Sequence, residues 1–395
     1  MKSKTLHSLY LASALSVLAI LPQAASAAAE KETWLGLPVE FASQDYAFKG
    51  GVAIELTKVK VQTTTPIEME RAWVTPDWAD WITQFRTSRV RVQTGEVIAR
   101  PSSLSRLGVI DGPSTHKVTR LEFTSLKLLF GTTPLVLPAG EMRFGADGAL
   151  SVIRIKQEGG INLELSPREG GKLAVLLQTG TFKWPVLPAF VFDSVVAQGE
   201  ISDDNLLIDK IGTSGDGGSI NGVLHVVSAG KFLLEGELNM QSLRARDVIS
   251  RLYPRSTVEG FLSGSFKLNA SADSFDGLAS AVTISGGTYV LKNGSIDRFG
   301  ILEGMRRSGS GVVGGGMVRF ESLGGKFSGR TGEPAQADFQ GLSSGALRGS
   351  SAFTVLPDGT LRGFVNGSMA LPGGELVSRR FDLSGKVDAP SLSTR

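Results

Sequence analysis

Apolar and polar residues alternate with a period of two along most of the chain. In GFLSGSFKLNA, residues 260–270, Leu262, Gly264, Phe266 and Leu268 are apolar or small, and Ser263, Ser265, Lys267 and Asn269 between them are polar. That period predicts an antiparallel strand with one buried face. The pattern recurs at Ile220, Gly222, Leu224 and Val226, at Phe232, Leu234, Gly236, Leu238 and Met240, and at Leu361, Gly363, Val365, Gly367 and Met369. Asp147-Gly148, Asp216-Gly217, Asn293-Gly294 and Asp358-Gly359 are dipeptides that tolerate positive φ, and each predicts a tight hairpin turn.

Two runs change face midway. Ile54 and Leu56 give way to Val59 and Val61, and Leu121 and Phe123 to Leu126 and Leu128. A one-residue slip of this kind predicts a β-bulge, which bends and twists a long strand. Helix signals are short. Thr75-Pro76-Asp77 precedes Trp78, Trp81, Ile82 and Phe85 at helical spacing, and SLRARDVISRLYP, residues 242–254, places Leu243, Val248, Ile249 and Leu252 on one side, with Ser242 as a candidate cap and Pro254 as the stop. Each reads as a cap on an end of the β core. Residues 199–226 and 325–355 repeat one order: glycine, an apolar residue, a polar turn, a short strand, Ser-Gly, then an alternating strand. Repeated hairpins of this kind build an elongated sheet. The fold expected is mainly β: an elongated, strongly curved antiparallel sheet, an open β-groove built of hairpins, with a few short capping helices.

Composition narrows the picture. The 49 glycines exceed the usual frequency of roughly 7%, but no Gly-X-Y period accompanies them, and 41% hydrophobic residues are ample for a core. Lys2 and Lys4, an apolar run from Leu9 to Leu21, Pro22 and the small residues Ala24–Ala29 have the layout of a secretory signal peptide cleaved near Ala27. A run of about 13 apolar residues is short of the roughly 20 that span a bilayer. Export to the periplasm is expected; retention of the N-terminus as an inner-membrane anchor is the alternative. Loss of residues 1–27 removes two lysines and no acid, lowering the net charge from +3 to +1. Nothing in that balance calls for nucleic acid, whose phosphates need a basic stripe. With no cysteine, stability has to come from packing and strand pairing.

Reactive side chains are sparse. His116 and His225 are the histidines outside the signal, far apart in sequence and in no metal-binding spacing. No GxSxG elbow is present. Residues 309–314 match GxGxxG, but the strand-like Met317–Phe320 follows where a dinucleotide fold needs a helix, so the segment reads as a mobile loop between hairpins. No enzyme, metal or cofactor is expected.

The alternating strand at 259–270, LASAVTISGGTYVLKNGSI after it, and FESLGGKFSGRTGEPAQADFQGLSSGALRGSSAFTVLPDGTL at 320–361 together resemble the C-terminal region of the AsmA-like family, related to the TamB- and YhdP-type envelope lipid-transfer proteins. Leu262, Gly264, Leu268, Gly286, Gly294, Phe320, Leu323, Phe327, Gly349 and Gly359 occupy the positions that carry the resemblance. It divides the chain into the signal (1–27), an N-terminal β-rich region (28–190), an AsmA-like region (191–375) and a C-terminal strand and tail (376–395). The chain is short, and a cleavable signal is expected where typical members keep an N-terminal membrane helix and a long β-stalk. The resemblance implies an open β-groove with an apolar interior, working in phospholipid transport or outer-membrane homeostasis.

Physics makes that implication reasonable. Exposing an acyl chain of about 16 methylenes to water costs on the order of 13 kcal/mol, at roughly 0.8 kcal/mol each. An apolar trough removes much of that cost with no reactive group. The candidate lipid-facing residues are Leu224, Val226, Leu234, Leu238, Leu262, Phe266, Leu268, Val282 and Ile284. Glycines among them would leave room for a chain, or else mark close backbone contacts in a closed core. The expected partners are a phospholipid or other acyl lipid and the inner or outer membrane or envelope assembly proteins, with no nucleic acid. The alternative function is a structural, assembly or secretion-accessory factor acting through β-edge contacts.

Overall fold

The computed structural model describes residues 32–49, 51–77, 89–107, 117–157, 160–183, 191–256, 258–307, 310–330, 332–371 and 373–394. Residues from Thr33 onward form one compact unit. Among the described residues, 25 strands join a single sheet, and a short pair, Phe182–Lys183 with Val191–Phe192, stands apart from it. The sheet is mostly antiparallel, open and elongated across its strands. From Leu150–Gln157 to Ala389–Thr394 it is a run of antiparallel neighbours, interrupted by excursions rather than by crossovers.

The N-terminal strands depart from that order once. Arg89–Ala99 lies parallel to Lys117–Phe130, a pairing the hairpin pattern did not predict. A parallel neighbour needs a longer connection than a hairpin, and the helix Pro101–Ser105 occupies part of it. Lys117–Phe130 then pairs along its other side first with Gly140–Phe144 and further on with Thr133–Leu137. That change of partner coincides with the face switch between Phe123 and Leu126, where no register slip occurs. The other face switch also occurs without a slip: Lys58 there has φ 50°, but Thr57 pairs with Arg71 and Val59 with Met69 in one unbroken register.

Three of the hairpin turns have the expected chemistry; between Gly140–Phe144 and Leu150–Gln157, Gly148 has φ 86° and Asp147 accepts a hydrogen bond from the Ala149 N–H at 3.1 Å. Asp216 and Gly217 both take positive φ between Asn205–Gly215 and Gly218–Ser228. At Asp358-Gly359 the aspartate accepts hydrogen bonds from the Thr360 backbone N–H at 3.0 Å and hydroxyl at 2.8 Å, which hold its carboxyl below the usual range. Asn293-Gly294 is not a turn. It lies inside the continuous strand Thr283–Asp297, where Asn293 at φ 51° forms a bulge opposite Glu259 and Phe261. A Cβ on Gly294 would overlap the Glu259 carbonyl oxygen and crowd the Phe320 ring.

The 242–254 segment is helical over Ala245–Leu252 and stops two residues before Pro254. Its N-cap is Arg244, which makes no side-chain cap bond, while Ser242 has φ 54° at a slip in the strand before it. Arg251 on this helix grips Asp216 in the hairpin turn with two hydrogen bonds, 2.5 and 2.6 Å, which push its guanidinium above its ordinary value. The helix also separates two hydrophobic clusters. Val248 belongs to the first, which runs from Trp34 to Val282, and Ala245 to the second, which ends at Leu392; Leu262 touches both. The helix expected after Asp77 falls outside the described residues; Thr75 and Pro76 end the strand Ile67–Pro76.

The glycine-rich 309–316 segment is not simply a loop. Gly311–Val313 pairs with the last strand, and Val313 is buried. The helix Ile301–Arg306 just before it lies against the C-terminal strands, with the Phe381 ring over Gly304 and Met305 over Gly367.

The inner-face glycines have a common role that alternation does not reveal. A Cβ on Gly199, Gly222, Gly264, Gly325 or Gly363 would overlap a carbonyl oxygen of the neighbouring strand. They mark close backbone approach and are not space left for a ligand. Gly199 and Gly325 open the two repeated units, and both meet the next strand in this way, at Leu207 and Asp338. Gly199→Ala and Gly325→Ala should each cost about 1–3 kcal/mol through overpacking, and Gly314→Ala, which has nothing within 4 Å, should change stability by less than about 0.5 kcal/mol. Urea unfolding of the three variants checks this, and a neutral Gly199→Ala contradicts it.

Candidate functional site

The nine candidate residues share the inner face of the sheet. Strand register sets Val226 beside Leu234, Leu238 beside Phe266 and Leu268 beside Ile284. Val226, Leu234, Leu238, Phe266, Leu268 and Val282 are buried by the protein's own atoms, and Leu224, Leu262 and Ile284 are half-buried against the core. Most of the face is therefore a packed interior. Phe266 meets Phe327 at 5.9 Å, and at one end of the strands Phe130 stacks on Phe232 at 6.0 Å with Phe275 edge-on to both.

That end is sealed by polar contacts as well. Pro101–Ser105 carries Ser102, whose N–H and hydroxyl donate to the Asp203 carboxylate at 2.9 and 2.7 Å, and Gly131 donates its N–H to the Asp203 carbonyl. Leu104 of the same helix is fully buried, and Leu278 of the 3-10 turn Asp276–Ala281 covers the adjoining strands. Neither cap was visible in the hydrophobic pattern. Proline at the first helical position after Arg100 is the signal for Pro101–Ser105.

Between the sealed parts one row stays half open. Register aligns Leu165, Val175, Gly199, Ile208, Leu224, Gly236, Leu268, Ile284 and Gly329 on consecutive strands. Leu165 and Leu268 are buried, whereas Val175, Ile208, Leu224 and Ile284 are half-buried and rest on the first cluster. Eight interstrand steps of roughly 4.8 Å make the row about 38 Å long. It is apolar throughout. Leu224 and Ile284 were legible as candidates; Val175 and Ile208 needed the register.

The inner face offers little that titrates. Tyr289 lies there with its hydroxyl donating to the Asp338 carbonyl at 2.8 Å, and burial pushes that hydroxyl far above its usual range. His225 is on the outer face, its Nε2 3.1 Å from Asn205 Oδ1; His116 lies outside the described residues. Among the described residues, no helix is long and apolar enough to cross a membrane, and no group of three or more histidine and acidic residues is arranged to hold a metal.

No family model, curated protein or solved structure matches the chain.

Packed and half-open positions should separate in mutagenesis. Leu238→Ala and Phe266→Ala, each leaving a cavity in closed packing, should cost about 2–5 kcal/mol. Ile284→Ala removes side-chain surface that water already reaches in part, and should cost about 1 kcal/mol. Chemical unfolding gives the order, and a loss at Ile284 equal to that at Phe266 would deny the row its half-open character.

Proposed function

We propose that the protein is a non-enzymatic envelope factor that shelters lipid acyl chains along the half-open apolar row of its sheet and so assists phospholipid transport or outer-membrane homeostasis. The observation that carries this reading is the row itself. It presents Val175, Ile208, Leu224 and Ile284 in register, half-buried, on a face most of whose other apolar residues are buried. Covering such a row removes apolar surface from water at about 25 cal/mol per Å². Its length of about 38 Å exceeds the depth of one bilayer leaflet, about half of a 30 Å hydrocarbon core. The sequence resemblance to the AsmA-like family and the signal-like N-terminus support the same reading. The buried candidates Val226, Leu234, Leu238, Phe266, Leu268 and Val282 act as the floor that holds the row in place, and Leu262 links it to the second cluster.

A second reading, strand pairing with an envelope assembly protein, has one observation in its favour. Among the described residues the strand Ser43–Phe48 pairs only with Val52–Val61, and Tyr46 and Phe48 are exposed by 52% and 83%. Its free edge can accept another strand.

Lipid analysis separates the two. Protein purified from a membrane-containing host should carry phospholipid, seen by mass spectrometry of an organic extract. Leu224→Asp and Ile208→Asp should strip that lipid while the melting temperature stays within a few degrees of the parent. Phe48→Ser should leave lipid occupancy unchanged. Wild-type protein recovered free of lipid sinks the acyl-chain reading, and partner capture that depends on Phe48 then favours the edge.

A further inference from the structure

The two ends of the sheet are finished differently. At the C-terminal end Gly311–Val313, a three-residue strand, lies against Ala389–Thr394 with Val313 buried. A very short edge strand offers little to another chain. At the N-terminal end the six residues Ser43–Phe48 include no proline and no lysine, and among the described residues they pair on one side only. The apolar inner face runs out to this edge. Register continues the row of Leu165 through Leu121 and Ile54 to Tyr46. The exposed Tyr46 and Phe48 are thus the bare end of a face that is buried over most of its length.

Backbone direction identifies the open groups. Lys49 donates its N–H to the Gly51 carbonyl across the turn to Val52–Val61. Alternation in an antiparallel pair then turns the N–H and C=O of Asp45 and Ala47 toward Val52–Val61, and those of Gln44, Tyr46 and Phe48 toward the open side. The side chains divide in the same alternation: Tyr46 and Phe48 take the inner face, Asp45 and Lys49 the outer. Asp45 is exposed, and the Lys49 ammonium lies 3.4 Å from the centre of the Trp73 ring on that outer face.

We infer that this edge pairs with the same edge of a second copy of the chain, antiparallel, about a two-fold axis at Ala47. In that register Tyr46 of each copy faces Phe48 of the other, and each facing pair exchanges both backbone hydrogen bonds through groups that are open in the single copy. The facing aromatics cover one another on the inner face. On the outer face Asp45 of each copy stands opposite Lys49 of the other, so the ammonium gains a carboxylate on the side away from Trp73. No other antiparallel register of the strand with itself opposes these two charges. Centring on Tyr46 sets Asp45 against Ala47, and centring on Asp45 sets that carboxylate against itself. The contact closes at two copies, because the same edge is used by both. Neither an acyl chain nor an assembly protein is required.

Sedimentation velocity of the purified protein, over a concentration series reaching about 200 μM, tests it. A six-residue edge makes a small interface, so a dimer that dissociates in the micromolar range is expected. Tyr46→Pro removes an open N–H and no bond within the copy; it should weaken dimerisation about tenfold or more while circular dichroism is unchanged. Asp45→Lys and Lys49→Glu should each weaken it, and the double variant, which restores opposite charges across the axis, should recover the parent's affinity to within about threefold. The chain has no cysteine, so Ala47→Cys introduces a single thiol at the axis, where facing Cα atoms about 4.5 Å apart suit a disulfide. That variant should cross-link into dimers under mild oxidation. Ser43→Cys, whose two copies would lie about 26 Å apart along the paired strands, should not. A parent that stays monomeric throughout the series, a mass that climbs past two copies, or a charge-swapped double variant no better than the single ones overturns the inference.

Discussion

The fold depends on one repeated contact, a backbone carbonyl of one strand set where the next strand has a glycine in place of a Cβ. A single sheet has no second layer to cover its apolar face, and it can bury that face only by coiling onto it. Strong coiling brings neighbouring backbones closer on the concave side than a side chain allows. Gly199, Gly222, Gly264, Gly325 and Gly363 meet the carbonyls of Leu207, Glu237, Thr288, Asp338 and Ala352 in this way. The outer side has no such requirement, and there side chains stand in register across strands, as Asn221, Asn239, Ser265, Thr288 and Lys326 do.

The strands and their buried faces were legible because a period of two is a local property. Leu238, Phe266 and Leu268 are buried where alternation puts them, and Asp216-Gly217 turns because both residues tolerate positive φ. What failed was whatever depends on a distant strand. Asn293-Gly294 has the chemistry of a hairpin turn, yet a strand on either side holds it in the ladder, so the same positive φ becomes a bulge. Gly311–Val313 looks like a loop until the C-terminal strand arrives to pair with it. The parallel pair Arg89–Ala99 and Lys117–Phe130 leaves no mark in either strand's own pattern.

The same distinction governs the candidate site. The apolar residues of the row could be read one strand at a time, but their exposure could not. Val226 and Leu224 are two residues apart on one face of one strand; the first is buried and the second half open. Only the assembled walls decide between them. The two clusters on either side of Ala245–Leu252 are set in the same way, since Leu262 belongs to both through contacts made at a distance.

Coiling also explains why the row stays half open. Three of its nine positions are Gly199, Gly236 and Gly329, and none can take a larger side chain: the Leu207 carbonyl blocks the first, the Leu224 side chain the second, and Ala335 the third, its Cβ 2.9 Å away. The chain therefore cannot fill the row from within without losing the curvature that buries the rest of the face. An apolar ligand would be under no such constraint, because it would lie over Val175, Ile208, Leu224 and Ile284 without occupying any Cβ position. The bend that closes most of the interior is thus also what keeps this apolar row half-buried rather than filled.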